Sequence, residues 1–508
     1  MLIMGKQQVN IQLLVNNTPV PRVDKIRILA TGQGFSCEKH RSSPPRVVMV
    51  AIARLLPRFV VTSLGLALNF TSRLIPDGGR DGRGCPGIRR RVPPSHSFFQ
   101  ESLIGDNGYP LETHEVATGD GYILQMHRIP HGRMGSCAHV SASKDTWCGG
   151  RGPVFVMTGL LADSTSLVLD FPGQSLGAFV LSSRNMWFVL ADNGYDVWLG
   201  NTRGNTFGRR HRTLDVRSRP FWNFTFHEHA LYDLPAQIDY VLNETGQRQL
   251  LYVGISQGTL IFFAMMSERP EYNNKVKAFA GLAPFNKLAY IKVPPLAIFG
   301  PYAESALRLA QAAGGYDVLP KDFQLMSLVR ILCGSVAKPV CTFLGDRFTN
   351  IGSRYINLTR IPVYLCHNPA GTSMKNVIHY AQLVRSKRAQ KFDYGASTNN
   401  EVYGQRKPPE YNLSRVTTDV GLFWSKGDQF VTPREVDELR SSLGARVKRE
   451  GYIADPFYTH VHFAIGLVNK KYLFKNLLDF LAGYPVEQQP LEKDAGATTD
   501  AVYTTLDS

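Results

Sequence analysis

Three residue types, in one order along this chain, could carry out nucleophilic catalysis: a serine between two glycines, an aspartate and a histidine. Ser256 lies between Gly254 and Gly258 in the sequence GISQG, and Asp428 and His460 follow it. A serine hydroxyl reacts at neutral pH only when a histidine accepts its proton, and that imidazole needs a carboxylate to fix its tautomer. The order serine, aspartate, histidine therefore indicates acyl-transfer chemistry.

The Gly-x-Ser-x-Gly pattern occurs a second time, around Ser175 in the sequence GQSLG. A nucleophilic serine of this kind needs a buried strand before it and a helix after it, with glycines where the two approach closely. Ser256 follows the apolar run QLLYV and precedes TLIFFAMMSERPEY, a predicted helix that stops at Pro270. Pro172 lies just before Ser175, and no strand leads into that site. We therefore predict that Ser256 is the nucleophile.

The candidate acid is one of three aspartates near a predicted strand at residues 420–424. Asp428 lies in a Gly-Asp turn after that strand, ahead of a helix that Thr432 and Pro433 open. Asp419 lies at the wrong end of the strand, and Asp437 lies on the surface of the helix. Acids of this fold class lie on loops at the carboxyl edge of the sheet, so Asp428 is the predicted acid.

The candidate base is one of two histidines in the sequence FYTHVHFAIGL. His460 and His462 both lie in a predicted loop ahead of the last helix. A single histidine is more often a surface or core residue than a catalytic one. Order along the chain and spacing to that helix favour His460.

The oxyanion formed during such a reaction needs backbone amides that point at it. One amide belongs to the residue after the nucleophile, Gln257, and the other comes from the loop after an early strand. The sequence VFVMTGLLADS places Leu160 there, although a plain core leucine is the alternative interpretation.

The elements that must position these residues alternate between two patterns. A β-hairpin is predicted in THEVATGDGYILQMHRI, and the apolar runs PVFVMTG, FVLADNGYDVWLG, LLYVGIS, KAFAGLAP and VGLFWSKGD follow, separated by segments of helical pattern. Such alternation predicts an α/β fold with a mostly parallel central sheet covered by helices on both faces. Residues 286–410 lack this alternation of strands and helices. They are a candidate cap, because large insertions in such a fold emerge at the edge of the sheet where ligands bind. The core is expected at 96–285 and 411–486, with a flexible tail at 487–508.

The net charge of +16 is concentrated near the N-terminus. Residues 1–95 carry 15 Lys and Arg against 4 Asp and Glu, whereas residues 96–508 carry 42 against 37. A basic groove for nucleic acid therefore has little support. We expect residues 1–95 to be a disordered basic extension.

Within that extension, residues 49–71 have the outline of a signal peptide, with arginines ahead of the apolar run 59–68. The run is too short for a transmembrane span, and its position is internal. The hypothesis is that the true start lies near Met49; a disordered extension is the alternative. Candidate glycosylation sites that fit secretion are Asn223, Asn243, Asn357 and Asn412. Among seven cysteines, Cys333 and Cys341 are close enough for a local disulfide, and the spacings do not indicate a zinc or other metal site.

Residues 98–484 resemble the acid lipases, the group of gastric and lysosomal lipases and their invertebrate relatives. The resemblance lies in GYPLETHEVATGDGYILQMHRIPHG, GYDVWLGNTRGNTFGRRH, YDLPAQIDYVL, VGISQGT, HNPAGTS, PPEYNLSRVT and YTHVHF. It implies an α/β-hydrolase fold with a cap domain and hydrolysis of lipid esters, such as acylglycerols or sterol esters. The family's triad corresponds to Ser256, Asp428 and His460, and its oxyanion amides to Leu160 and Gln257. It also implies a secreted or lysosomal glycoprotein.

Three residues depart from the family pattern. Ile255 replaces the histidine that usually precedes the nucleophile, and Thr158 replaces the one that usually precedes the oxyanion loop. His462 replaces an acid two residues after the base. Two insertions, at 134–148 and 178–187, interrupt the resemblance.

The sequence therefore predicts a lipase-like serine ester hydrolase that acts at a lipid–water interface without a metal or organic cofactor. Neither a nucleic acid partner nor a transmembrane span is expected. The main alternative is a lipid-binding or storage protein of the same fold with weak or no turnover. Acyl transfer to an acceptor other than water is a second alternative.

Overall fold

The structure, a computed structural model, describes three short N-terminal strands and residues 103–133, 150–169, 186–319, 342–343, 346, 350 and 352–486. The chain divides into two compact units, residues 1–78 and 79–508. The first contains an antiparallel sheet of three strands: β1 (Leu2–Met4), β2 (Gln7–Ile11) and β3 (Ile28–Leu29). The signal-like segment 49–71, the insertion 134–148, most of the insertion 178–187 and the tail 487–508 lie outside the described residues.

The second unit is built on a sheet of nine strands, as far as the structure describes the chain. The strand order is β14-β13-β10-β9-β6-β7-β5-β4, and β8 pairs with β5. The bounds are β4 Glu112–Ala117, β5 Tyr122–Ile129, β6 Pro153–Met157, β7 Asp196–Leu199, β8 Arg210–His211, β9 Leu250–Ile255, β10 Val276–Leu282, β13 Asp419–Ser425 and β14 Val447–Ile453.

Strands β7, β6, β9, β10, β13 and β14 run parallel, and β4, β5 and β8 form antiparallel pairs at one edge. All residues of β6, β7 and β9 are buried, as expected for parallel strands covered on both faces. The predicted mostly parallel α/β sheet is therefore confirmed. The hairpin of β4 and β5 is also confirmed, with Glu112 opposite Arg128 and Ala117 opposite Ile123.

Helices follow most of the strands and cover the sheet. Their bounds are α1 Met186–Asp192, α2 Phe226–Glu228, α3 Leu234–Thr245, α4 Gln257–Glu268, α5 Pro294–Ala312, α6 Ile361–His367, α7 Met374–Ser386, α8 Ala396–Tyr403, α9 Pro433–Leu443, α10 His462–Ile465 and α11 Lys475–Ala482. Local sequence accounts for several ends. Pro433 occupies the first turn of α9 after Thr432, and Gly246 ends α3 in a left-handed conformation with φ 64°.

Two local predictions are wrong. The apolar run FVLADNGYDVWLG is not one strand, because its first half belongs to α1 and Gly194, with φ 84°, separates it from β7. Periodicity alone does not distinguish a short buried helix from a buried strand. His462 is not in the loop with His460 but begins the short helix α10.

The candidate cap segment, residues 286–410, contains α5 to α8 and a two-stranded antiparallel sheet of β11 (Asp317–Val318) and β12 (Thr372–Ser373). Helices α5 and α7 pack against each other. The hydrophobic core lies between the sheet and its covering helices, and includes Phe155, Trp198, Tyr252 and Phe279, all fully buried.

Candidate active site

Ser256 lies at a sharp turn between β9 and α4. Its backbone has φ 53° and ψ −114°, a conformation that a residue with a side chain adopts only at an energetic cost. The Ser256 amide donates to the carbonyl of Leu282 on the neighbouring strand β10, at 3.0 Å. The surrounding strand and helix thus hold the strained turn and present the serine at the carboxyl edge of the sheet.

The two glycines beside Ser256 are required by close backbone contacts. A Cβ atom on Gly254 would lie 2.8 Å from the carbonyl of Gly258, and one on Gly258 would lie 2.4 Å from the carbonyl oxygen of Met157. Both distances are shorter than a carbon atom can accept, so only glycine permits the helix to start this close to β9 and β6. Ser175 lies outside the described residues.

The structure brings the side chains of Ser256, His460 and Asp428 together. Nε2 of His460 lies 2.8 Å from Oγ of Ser256, and Nδ1 of His460 lies 2.7 Å from Oδ2 of Asp428. Asp428 is 2% exposed, and its other oxygen accepts the backbone amides of Phe430 and Val431 at 2.8 and 2.9 Å. This serine–histidine–aspartate geometry can move a proton from the serine hydroxyl to an oriented imidazole.

The loops that carry Asp428 and His460 pack directly on each other. A Cβ on Gly427 would lie 2.4 Å from the carbonyl oxygen of Pro456 and 2.6 Å from that of Tyr458. The hydroxyl of Ser425, at the end of β13, donates to the Tyr458 carbonyl at 2.7 Å. The sequence indicates the Gly-Asp turn that contains Gly427, but neither the contact between the two loops nor the role of Ser425 has a local signal.

The loop with Leu160 packs against the serine. A Cβ on Gly159 would lie 3.2 Å from Cβ of Ser256, and Leu161 has φ 60°. Within the described part of the chain, the amides of Leu160 and Gln257 donate no hydrogen bond. Two such amides beside a nucleophile can stabilise an oxyanion. Thr158, in place of the family's histidine, directs its hydroxyl to the Ala162 carbonyl at 3.4 Å.

The candidate cap segment contacts both sides of this region through hydrogen bonds that the sequence did not indicate. The side-chain carbonyl of Gln257 accepts hydrogen bonds from Asn376 at 3.1 Å and from the Tyr380 hydroxyl at 3.0 Å, both on α7. On the other side, the Ala370 amide donates to the Leu161 carbonyl at 2.7 Å. Residues of segment 286–410 thus bond to the first residue of α4 and to the loop that contains Leu161.

The remaining candidate residues are accounted for as follows. Asp419 is the first residue of β13, at the far end from the site, and Asp437 is exposed on α9, as predicted. Ile255 is 5% exposed and belongs to the hydrophobic core. Cys333 and Cys341 lie outside the described residues, whereas Cys366, which our pairing left out, is disulfide-bonded.

Among the described residues, no three or more His, Cys, Asp or Glu side chains are grouped in a way that could hold a metal ion. None of the described helices combines the length and apolarity needed to cross a bilayer.

The chain is similar to known lipases over most of its length. Two family profiles match, a partial alpha/beta-hydrolase lipase region at residues 101–170 and the alpha/beta hydrolase fold at residues 171–312. Human lysosomal acid lipase/cholesteryl ester hydrolase is 35% identical over 404 residues, which cover 79% of this chain and 95% of that protein. Bovine gastric triacylglycerol lipase is 36% identical over 392 residues, covering 77% and 92%. Lipase lipl-1 of Caenorhabditis elegans is 35% identical over 400 residues, covering 76% and 92%.

The fold and the matched profiles define an α/β-hydrolase. With relatives of this identity and coverage, the chain belongs to the acid lipase family, a group of carboxylic ester hydrolases.

Proposed function

We propose that this protein hydrolyses carboxylic esters of lipids, acylglycerols or sterol esters, through an acyl-enzyme intermediate on Ser256. The observation that carries the proposal is the pair of hydrogen bonds that His460 makes, 2.8 Å to Ser256 and 2.7 Å to Asp428. The names of the human and bovine relatives supply the two substrate classes, cholesteryl esters and triacylglycerols.

In the proposed reaction, Oγ of Ser256 attacks the ester carbonyl carbon while Nε2 of His460 takes the hydroxyl proton. The amides of Leu160 and Gln257 donate to the oxyanion of the tetrahedral intermediate. The bond to the alcohol oxygen then breaks, and His460 gives its proton to that oxygen. Water, deprotonated by the same imidazole, attacks the acyl group, releases the fatty acid and restores the serine. Asp428 keeps the His460 proton on Nδ1 throughout.

Residues 286–410 are proposed to be the cap of this enzyme. Support comes from the hydrogen bonds of Asn376 and Tyr380 to Gln257 and of Ala370 to Leu161. These bonds join residues of segment 286–410 to the first residue of α4 and to the loop with Leu161, on either side of the nucleophile. The bound acyl chain is therefore expected to lie between the cap and the loops.

Secretion or transport to the lysosome, with N-linked glycans, is a further part of the proposal. The asparagines at 223, 243 and 412 are exposed, and Asn357 is half-buried. Loss of mass after treatment of the secreted protein with an N-glycosidase would support it. An unchanged mass would contradict the glycan assignment.

The deciding experiment compares wild-type protein with Ser256→Ala on triacylglycerols and cholesteryl esters from pH 4 to 8, together with labelling by a fluorophosphonate. Loss of the nucleophile is expected to lower kcat by about 10⁶-fold and to abolish labelling. The matched control is Ser441→Ala, an exposed serine on α9, which should behave as wild type. Folded wild-type protein that is neither labelled nor active would favour the lipid-binding alternative. Transfer of the acyl group to an added alcohol in preference to water would favour the acyltransferase alternative.

A further inference from the structure

The imidazole of His462, a fully buried histidine two residues after His460, makes hydrogen bonds that the proposed reaction does not use. The backbone amide of Thr459 donates to its Nδ1 at 2.7 Å, and its Nε2 lies 2.8 Å from the carbonyl oxygen of Gly352. The Thr459 hydroxyl lies 3.2 Å from the same Nδ1. An amide can only donate and a carbonyl oxygen can only accept, so Nδ1 is the acceptor and Nε2 carries the proton. These two contacts therefore select one neutral tautomer of His462.

The two partners of His462 belong to different parts of the chain. Thr459 directly precedes His460, whereas Gly352 lies in segment 286–410. Gly352 has φ 71°, and a Cβ there would lie 2.6 Å from Cε1 of His462. The close approach of the Gly352 carbonyl thus depends on glycine, and His462 joins the His460 loop to the proposed cap.

Hydrogen bonds hold the backbone of both residues that precede His460. The Tyr458 carbonyl accepts the hydroxyl of Ser425, and the Thr459 amide donates to His462. We propose that His462 is a positioning residue that holds the Thr459 amide and so keeps Nε2 of His460 within hydrogen-bond distance of Ser256. This inference rests on the proposed function, because it assigns a role in the proton transfer from Ser256 to His460.

Only the neutral form of His462 can accept from the Thr459 amide, because an imidazolium carries an N–H on Nδ1 and could only donate, to the Thr459 hydroxyl. Burial lowers the pKa of His462 to about 4 and outweighs the neighbours that favour protonation, which are the Gly352 carbonyl and the carboxylates of Asp346, Asp455 and Asp428. Among the described residues, the rings of Tyr355 and Tyr458 also lie beside His462. The bond to Thr459 is therefore expected to hold above about pH 4 and to break below it.

Two substitutions each remove one of the backbone hydrogen bonds that the His462 imidazole makes, to Thr459 or to Gly352, and keep the other. In His462→Asn, the side-chain oxygen takes the place of Nδ1 and can still accept from Thr459, whereas the bond to Gly352 is lost. In His462→Gln, the longer side chain brings its amide nitrogen near the place of Nε2 and can still donate to Gly352, whereas the Thr459 amide loses its acceptor. Each variant loses one of the two backbone hydrogen bonds of the His462 imidazole, so their stabilities are expected to be similar.

The experiment measures kcat and KM of both variants on a soluble short-chain ester from pH 3 to 8. We expect His462→Gln to lower kcat by about 10 to 100-fold with KM within about twofold, because small misplacements of a reacting group cost this much. His462→Asn should keep kcat within about threefold. In the plot of kcat against pH, it should also lose the part of the fall at low pH that occurs near pH 4. His229→Gln, at another fully buried histidine far along the chain, is the matched control and should affect thermal stability alone.

Three results would overturn the assignment: wild-type kcat in His462→Gln, equal losses of kcat in both variants, or an acid limb that His462→Asn leaves unchanged. If one variant does not fold, the pH profile of the other against wild type decides. Absence of Ser256-dependent hydrolysis in the wild type would instead refute the proposed function, so the two failures are distinguishable.

Discussion

Asp428→Asn tests the proposed relay most directly, because the structure determines how the new amide must orient. Oδ1 of Asp428 accepts two backbone amides, those of Phe430 and Val431, and Oδ2 accepts from Nδ1 of His460. Asparagine has one oxygen, which keeps both backbone bonds only if it takes the place of Oδ1. The NH₂ group then faces His460 and donates to its Nδ1.

An imidazole that accepts at Nδ1 carries its proton on Nε2, which lies 2.8 Å from Oγ of Ser256. It therefore cannot accept the serine proton. A triad with the wrong tautomer loses about 10⁴ in kcat, which corresponds to about 5.4 kcal/mol of transition-state stabilisation. Both backbone hydrogen bonds survive. The midpoint of thermal unfolding should therefore fall much less than it would if position 428 held a side chain that cannot accept from Phe430 and Val431.

The assay is steady-state hydrolysis of a short-chain ester together with the rate of fluorophosphonate labelling, each at pH 7. Both rates should fall together, because both depend on deprotonation of Ser256. Asp437→Asn, an exposed aspartate on α9, is the control and should keep wild-type rates. A kcat within tenfold of wild type in a folded Asp428→Asn variant would refute the reasoning.

Two further predictions concern stability. Gly258→Ala should destabilise the fold by about 1–3 kcal/mol, because its Cβ would lie 2.4 Å from the Met157 carbonyl oxygen. A variant with wild-type thermal stability would contradict this account of the turn at Ser256. Glu435, fully buried on α9, has its pKa raised to about 7, chiefly by burial, although the amides of Ala289 and Tyr290 donate to it. The folded state therefore binds more protons than the unfolded state between about pH 4.5 and 7, so this group makes stability fall as pH rises through that window. Glu435→Gln should flatten the dependence of the unfolding midpoint on pH there, and an unchanged slope would show that Glu435 is not its source.

The fold and the order of the candidate triad could be predicted because their signals are local. A parallel strand buried on both faces needs a continuous apolar run, and β6 and β9 both have one. The turn at Ser256 needs glycines at two nearby positions, and Thr432 and Pro433 indicate where α9 begins. Where the local signal was ambiguous, as in the run that contains α1 and β7, the prediction was wrong.

The sequence by itself determined the class of the fold, the preference for Ser256 over Ser175, and the order of serine, acid and base. Only the tertiary structure decided how these residues are held in place. It showed that Gly427 lets the loops of Asp428 and His460 meet, that Asn376 and Tyr380 donate to Gln257, and that His462 bonds to Thr459 and Gly352. Most of these contacts join residues that are far apart along the chain, so no local pattern encodes them. They depend on close packing between loops, which exists only once the whole sheet and segment 286–410 have folded together.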